Sequence, residues 1–220
     1  MSEWAIVWEA RGAILDGFYN TLILFGLSVT LAFVLGCAFA YWLETRNPAT
    51  LALRGFINCM RMLPFLILAY LLYYGLPSLG LRLNAWTAGL IALVVYYGAY
   101  FGEVLRGARL VLPEGQVEAA KAHGFTGFKV FRRIVLPQLI IKTRPLMGNL
   151  LILCLKDTAF LTIITVQELT AAANSVQSTY FVPMEAFVVV ILLYWLISIC
   201  LELALKWAGR FGAKRGFEHV

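Results

Sequence analysis

Residues 114–138 read EGQVEAAKAHGFTGFKVFRRIVLPQ, a polar and basic island in a chain that is otherwise strongly apolar. Pro113 suits the first turn of a helix, where its missing N–H costs nothing, and Glu114 is favourable beside the positive N-terminus. Gly115, Ala119 and Ala122 then share one helical face, smooth enough for another protein to approach the backbone. Glu118 and Lys121 stand three apart on another side and can support each other. Gly124 suits the left-handed conformation that ends a helix, and Thr126 can cap a second one. That second helix carries Phe128, Phe131 and Val135 on one face and Lys129, Arg132 and Arg133 on the other, and Pro137 is expected to stop it. Its aromatics would sit at the membrane surface with the cations toward lipid headgroups or a partner. A solvated loop whose charges only enforce topology is the other reading of the same composition.

Around this island the chain leaves little choice of class. It is 220 residues long, 61% hydrophobic and only 14% charged, with mean hydropathy +0.81. Soluble domains carry about 25% charged residues, and a small domain buries only roughly two-thirds of its unfolded surface. An integral membrane protein with one helical domain is expected. Strands are excluded because the apolar runs are continuous rather than alternating. A bilayer-crossing helix needs about 20 mostly apolar residues. Five segments approach that requirement, namely Phe18 to Leu43, Leu63 to Leu79, Trp86 to Leu105, Pro145 to Val166 and Met184 to Lys206.

The cations set the orientation. Arg46, Arg54 and Arg61 lie between spans one and two. Arg106, Arg109, Lys121, Lys129, Arg132, Arg133, Lys142 and Arg144 lie between spans three and four, and Lys206, Arg210, Lys214 and Arg215 form the tail. Fifteen of the 18 basic residues therefore fall on one side. The positive-inside rule places the large loop and C-terminus in the cytoplasm and the N-terminus outside. The net charge of +6 reflects this bias, and nucleic acid is not an expected partner.

Cys37, Cys59, Cys154 and Cys200 lack CxxC spacing and read as small buried hydrophobes. No cleavable signal peptide is expected, since Glu3, Glu9 and Asp16 outnumber Arg11 near the start. Trp4 and Trp8, one turn apart, mark an interfacial helix or a mobile tail. Pro48 to Met60 reads as an amphipathic lead-in to span two or a second interfacial element.

Ionisable residues inside spans are functional candidates. Tyr96, Tyr100 and Glu103 share one face of span three, with Tyr97 beside them. Tyrosine faces hold cations, and their hydroxyls bond carboxylates; helix packing, with a local Glu103–Arg106 pair, is the alternative. Lys156 and Asp157 are consecutive, point apart on span four, and need partners, a polar cavity or a second subunit. Glu168 and Glu185 are expected outside, solvated or meeting another protein.

Four motifs in order resemble the permeases of polar amino-acid ATP-binding-cassette (ABC) importers, which handle histidine, arginine, lysine, glutamine, glutamate, cystine or opines. Gly17-Phe18 with Thr21-Leu22 is similar to the start of the family's first span. Arg61-Met62-Leu63-Pro64 stands where the family has R-G-T-P, and Tyr73-Tyr74-Gly75-Leu76-Pro77 follows. Ala99-Tyr100, Glu103, Arg106-Gly107, Pro113-Glu114-Gly115-Gln116 and Glu118-Ala119-Ala120 resemble the central signature. Lys156-Asp157-Thr158 resembles K-D-T-S with Ala159 in place of serine, and Tyr96-Tyr97 replaces the family's Asn-Ser.

The resemblance implies a type I importer transmembrane domain spanning 1–220, with its core at 17–209 and a coupling loop at about 106–142, in a prokaryotic inner membrane. It implies a second identical or homologous permease, two cytoplasmic ATPases, an extracytoplasmic amino-acid-binding protein, an amino-acid substrate and surrounding lipid. Glu118, Ala119, Ala120, Ala122 and Gly124 would couple to the ATPase. Tyr96, Tyr97, Tyr100, Glu103, Lys156, Asp157 and Thr158 would line the substrate path. No cofactor is expected on this chain; ATP and Mg²⁺ belong to the partner. The sequence lacks GxxxxGK[ST], HExxH and a nucleophile elbow, and His123 is assigned no catalysis. An ion-coupled secondary transporter, with Glu103, Lys156 and Asp157 carrying protons, is the alternative.

Overall fold

The computed structural model describes residues 2–45 and 47–213, which leaves Arg46, Lys214 and Arg215 of the charge pattern outside the described residues. The described chain is helical, in ten α-helices linked by short π and 3₁₀ turns. They are α1 (Glu3–Glu9), α2 (Arg11–Glu44), α3 (Ala49–Met62), α4 (Phe65–Tyr70), α5 (Ala85–Leu110), α6 (Glu114–Ala122), α7 (Gly127–Val130), α8 (Leu136–Asp157), α9 (Leu169–Tyr180) and α10 (Pro183–Ala213).

Small residues decide the central packing. Ala32, Gly36 and Ala40 recur every fourth position on α2, and α5 answers with Gly98 and Gly102. A Cβ added at Gly36 would fall 2.6 Å from Cβ of Phe101 and 2.9 Å from the backbone nitrogen of Gly102. The two backbones therefore meet with no room for a side chain, the small-xxx-small contact by which helices associate in lipid. Phe33 and Phe101 lock the same crossing edge to face at 6.0 Å. On the periphery α10 buries only a narrow stripe, leaving Ile191, Leu192, Trp195 and Leu203 exposed, as a lipid- or partner-facing helix requires.

The expected second span, Leu63 to Leu79, opens on a sharp bend from the helix before it. Leu63 precedes a proline and is driven to extended backbone (ψ 140°). The path turns there by 107° between α3 and the segment Phe65–Leu79. That segment is about 22 Å long at 1.5 Å per residue, short of the roughly 30 Å hydrocarbon core. The motif Tyr73-Tyr74-Gly75 lies on a π turn (Leu71–Gly75) that passes into a 3₁₀ turn (Leu76–Leu79).

A second correction concerns Pro137, which does not stop its helix. α7 continues through a π turn (Phe131–Val135) directly into α8, and the helical run extends from Gly127 to Ile164. In the π turn the backbone bonds step five residues, as in Leu136 N–H to the Phe131 carbonyl, so the missing proline N–H falls where the four-residue ladder is already interrupted. Gln138 Nε2 donates to the Ile134 carbonyl at 2.8 Å, a side-chain bond beside the interrupted ladder.

At the opposite end a turn through Thr165 (φ 67°) leads into α9. Gly17 lets Ala172 close on α2. Thr21 Oγ1 accepts from Leu169 N–H at 3.0 Å, and Asn20 donates to the Gln167 carbonyl at 3.0 Å. Glu168, expected outside and either solvated or meeting another protein, is fully buried within the chain. Its carboxylate accepts from Thr170 N–H and Ala171 N–H, both at 2.7 Å, and from the Tyr194 hydroxyl at 2.9 Å. Burial pushes its pKa up while these donors pull it down. It is an N-cap that ties α9 to α10. Glu168→Ala would orphan two amides and take away the shortest hydrogen bond of the Tyr194 hydroxyl. It is expected to destabilise the fold by about 2 kcal/mol or more, read as a lower thermal midpoint of the purified protein.

Glu185 is also buried. Beside it, Glu3 has its pKa raised by a hydrogen bond with Glu185 and by their mutual repulsion. In α1, Val7 packs into a small core with Ile14, Leu169 and Val176 while Trp4 and Trp8 stay exposed. Of the four cysteines only Cys154 is buried, and Cys59 and Cys200 are exposed, because they lie on the outward faces of α3 and α10.

Candidate functional site: a tyrosine ladder and an arginine latch

Three tyrosines on α5, spaced at 96, 97 and 100, build a continuous aromatic surface. Ring centroids lie 5.4 Å apart for Tyr96–Tyr97 and 5.1 Å for Tyr96–Tyr100, and Phe65 of α4 closes on Tyr96 edge to face at 5.5 Å. Helical periodicity puts residues 96, 100 and 103 on one side, and the Pro64 bend brings α4 against it. The Tyr97 hydroxyl donates to Asp157 Oδ2 at 2.7 Å, joining α5 to the end of α8. That is the one hydrogen bond to Asp157 among the described residues. A carboxylate has roughly four acceptor positions, so most of its capacity is open.

Below the tyrosines sits a charged cluster. Arg106 reaches Glu103 through two bonds, Nε to Oε2 at 2.8 Å and Nη2 to Oε1 at 2.6 Å. Arg61, at the end of α3, places Nη1 3.4 Å from Glu103 Oε1. Its guanidinium lies 5.8 Å from the Tyr100 ring centroid, and its carbonyl accepts from the Tyr100 hydroxyl at 3.2 Å. A bidentate Arg–carboxylate pair is geometrically specific. With Arg61 added, it ties the bent α3–α4 elbow to α5.

The structure thus brings together Tyr96, Tyr97, Tyr100 and Asp157, and groups Glu103 with Arg61 and Arg106. It does not bring Lys156 to them: Lys156 is exposed, and among the described residues no hydrogen bond or ion pair to it occurs. Thr158 is buried, donating to the Leu155 carbonyl at 2.7 Å, with its hydroxyl 3.5 Å from that of Tyr194. Phe65, Arg61 as the latch, and Tyr194 were not selected from sequence. The signal for Arg61 in the sequence is its place three residues before Pro64, in the Arg61-Met62-Leu63-Pro64 motif.

In the loop, α6 ends in a Schellman arrangement. Gly124 is left-handed (φ 79°). Gly124 N–H donates to the Lys121 carbonyl at 2.9 Å, and Phe125 N–H to the Ala120 carbonyl at 3.1 Å. The His123 ring sits 2.8 Å from the Ala119 carbonyl. Glu118, Ala119 and Ala122 are exposed, as is Gly115, whereas Ala120 turns into the core. Thr126 takes the cap position without a side-chain cap bond. Lys129, Arg132 and Arg133 are exposed and Phe131 and Val135 buried, the division expected of the second helix. Phe128 stays half-exposed against Tyr41 at 5.3 Å.

Long apolar helices, a broken span and a polar helix–corner–helix insertion together define a multi-pass helical transport subunit. The family described as binding-protein-dependent transport system inner membrane component matches residues 32–211, and the chain belongs to it. The chain is 30% identical to the probable glutamine ABC transporter permease protein GlnM of Bacillus subtilis, covering 92% of this chain and 94% of that one. It is 35% identical to the histidine/lysine/arginine/ornithine transport system permease protein HisQ of Salmonella typhimurium, covering 83% and 86%. A crystal structure of an amino acid ABC transporter with histidines superposes with TM-score 0.83 at 27% identity, covering 96% of this chain and 99% of that one. The methionine ABC transporter MetNI shares the fold at TM-score 0.66 and 19% identity. Family membership sets aside the ion-coupled alternative for Glu103, Lys156 and Asp157.

Proposed function

We propose that this chain is the permease of an ATP-driven importer of polar amino acids, and that the tyrosine ladder with Asp157 is its substrate contact. The supporting observation is the Tyr97–Asp157 hydrogen bond, which leaves a carboxylate with open acceptor positions facing tyrosine hydroxyls. An amino acid carries an ammonium group for Asp157 and a carboxylate for the hydroxyls, and a cationic side chain gains further from the ring faces. The large loop lies in the cytoplasm, as the cation distribution requires, and the N-terminus lies outside.

The chain works as half of a permease pair, identical or homologous, with two ATPases and an extracytoplasmic binding protein. ATP and Mg²⁺ act on the ATPases, and no residue of this chain holds them. The exposed face of Glu118, Ala119 and Ala122, ended by Gly124, receives the ATPase, while Ala120 anchors that helix to the core. Closure of the ATPases moves α6, and the displacement passes through α7 and α8 to Asp157. The Arg61–Glu103–Arg106 latch holds the elbow shut on the cytoplasmic side until α5 and α3 separate.

Reconstituted complex should take up a polar amino acid only with ATP and binding protein. Tyr97→Phe removes the hydroxyl from Asp157 without changing ring packing. It is expected to change the half-saturating amino-acid concentration roughly tenfold, the order of one charge-assisted hydrogen bond, with assembly unchanged. Asp157→Asn is expected to abolish uptake. Uptake by Asp157→Asn at the wild-type rate would remove Asp157 from the path.

A further inference from the structure

We infer that the groove between the end of α2 and the α7–π segment is a binding site for one anionic phospholipid of the cytoplasmic leaflet. The groove encloses about 740 Å³. One wall is α2, with Phe33, Val34, Cys37 and Trp42; the other is the second loop helix, with Phe128 and Phe131. Tyr41 stands between them, 5.3 Å from Phe128 and 5.2 Å from Phe131 by ring centroids. The rim is polar, formed by Thr45, Asn47 and Arg132, and no carboxylate among the described residues lines the groove.

Three observations select the occupant. Along α2 the groove runs from Phe33 to Thr45, about 18 Å at 1.5 Å per residue, which matches one hydrocarbon leaflet of about 15 Å plus the start of the headgroup layer. Among the described residues its charged group is Arg132, at the end where α2 terminates, and Lys129 and Arg133 stand exposed on the same short helical segment. Basic pockets beside transmembrane helices on the cytoplasmic side hold anionic headgroups. Tyr41 and Trp42 lie where interfacial aromatics meet headgroups. The lipid would bridge span one to the loop helix, so its chains fill the space between the two elements. This rests on the cytoplasmic placement of the loop under the proposed function.

The permease, purified with its ATPase, is placed in mixed micelles with equal phosphatidylglycerol and phosphatidylcholine, and native mass spectrometry reads the bound lipid. Phosphatidylglycerol is expected to be retained over phosphatidylcholine by roughly fivefold, the effect of one well-placed cation. Arg132→Ala, at an exposed position, brings the ratio toward one. Cys37→Trp fills the wall and removes both lipids, whereas Lys206→Ala on α10 changes neither. Equal retention of both lipids by the wild type, or an Arg132→Ala ratio equal to wild type, overturns the assignment. So does a cross-link from Cys37 to the second permease in native membranes, which would make the groove a protein interface. Lipid retention is read without transport, so its loss in a complex that still imports amino acids defeats this site alone. Retained lipid in a complex that does not import defeats the proposed function instead.

Discussion

Gly124→Val is expected to yield an assembled complex in which ATP hydrolysis no longer drives uptake, with transport reduced at least tenfold. Gly124 has φ 79°, a conformation that costs an L-residue about 1–2 kcal/mol and a β-branched one more. A Cβ there meets nothing within 4 Å, so the penalty falls on the backbone corner rather than on packing. Valine would pull residue 124 out of the left-handed region. The bonds from Gly124 to Lys121 and from Phe125 to Ala120 would break, and α6 would swing relative to α7. Gly124→Asn tolerates the left-handed region and should restore most of the uptake. The measurements are complex recovery, ATPase rate and ATP-dependent uptake in the same proteoliposomes. Wild-type uptake by the valine variant would refute the role of the corner.

Gly36→Val is expected to have the largest effect on the fold itself, with little monodisperse protein recovered. Overpacking a core commonly costs about 1–3 kcal/mol, and more where backbone must move. Here the obstructing atoms are the Phe101 Cβ and the Gly102 and Gly98 backbone, none of which can swing aside as a side-chain tip does. α2 would have to lift away from α5, opening the contact made by Ala32, Gly36 and Ala40. Gly26→Val is the control, since its Cβ would meet nothing within 4 Å and it stays exposed. Size-exclusion profiles of detergent extracts separate the two variants, and equal recovery of both would contradict the close-contact account.

What sequence reveals about this chain depends on the distance over which each cause acts. Spans one, three and five are legible because roughly twenty apolar residues in a row have one outcome in lipid. Gly124 is legible because a helix end is local chemistry. The Pro64 bend and the passage of Pro137 are two outcomes for the same residue type. The first follows the extended Leu63; the second is accommodated by a π turn, which no local rule anticipates. The Tyr96, Tyr97, Tyr100 and Asp157 group was assembled from separate spans, and the structure unites it. Lys156 stands beside Asp157 as an ionisable residue in a span and in the K-D-T-like motif, and the helical step of about 100° expected to part the two leaves it exposed. Glu168 reads as an outside carboxylate because its two amide donors, at the start of α9, make only an exposed cap by themselves; the third, Tyr194 of α10, is brought by the folded chain.

The helical run from Gly127 to Ile164, continuous through its π turn, has a geometric corollary. Its α-helical length, the 22 residues Leu136–Asp157, is about 33 Å long and holds angular phase as well as length, at about 100° per residue. The loop end and Asp157 are therefore geared together. Adding one residue between Pro145 and Asp157 would leave span length almost unchanged, yet would turn the carboxylate a quarter-turn or more away from Tyr97. Torque, as well as thrust, is what this shaft can carry from one face of the membrane to the other.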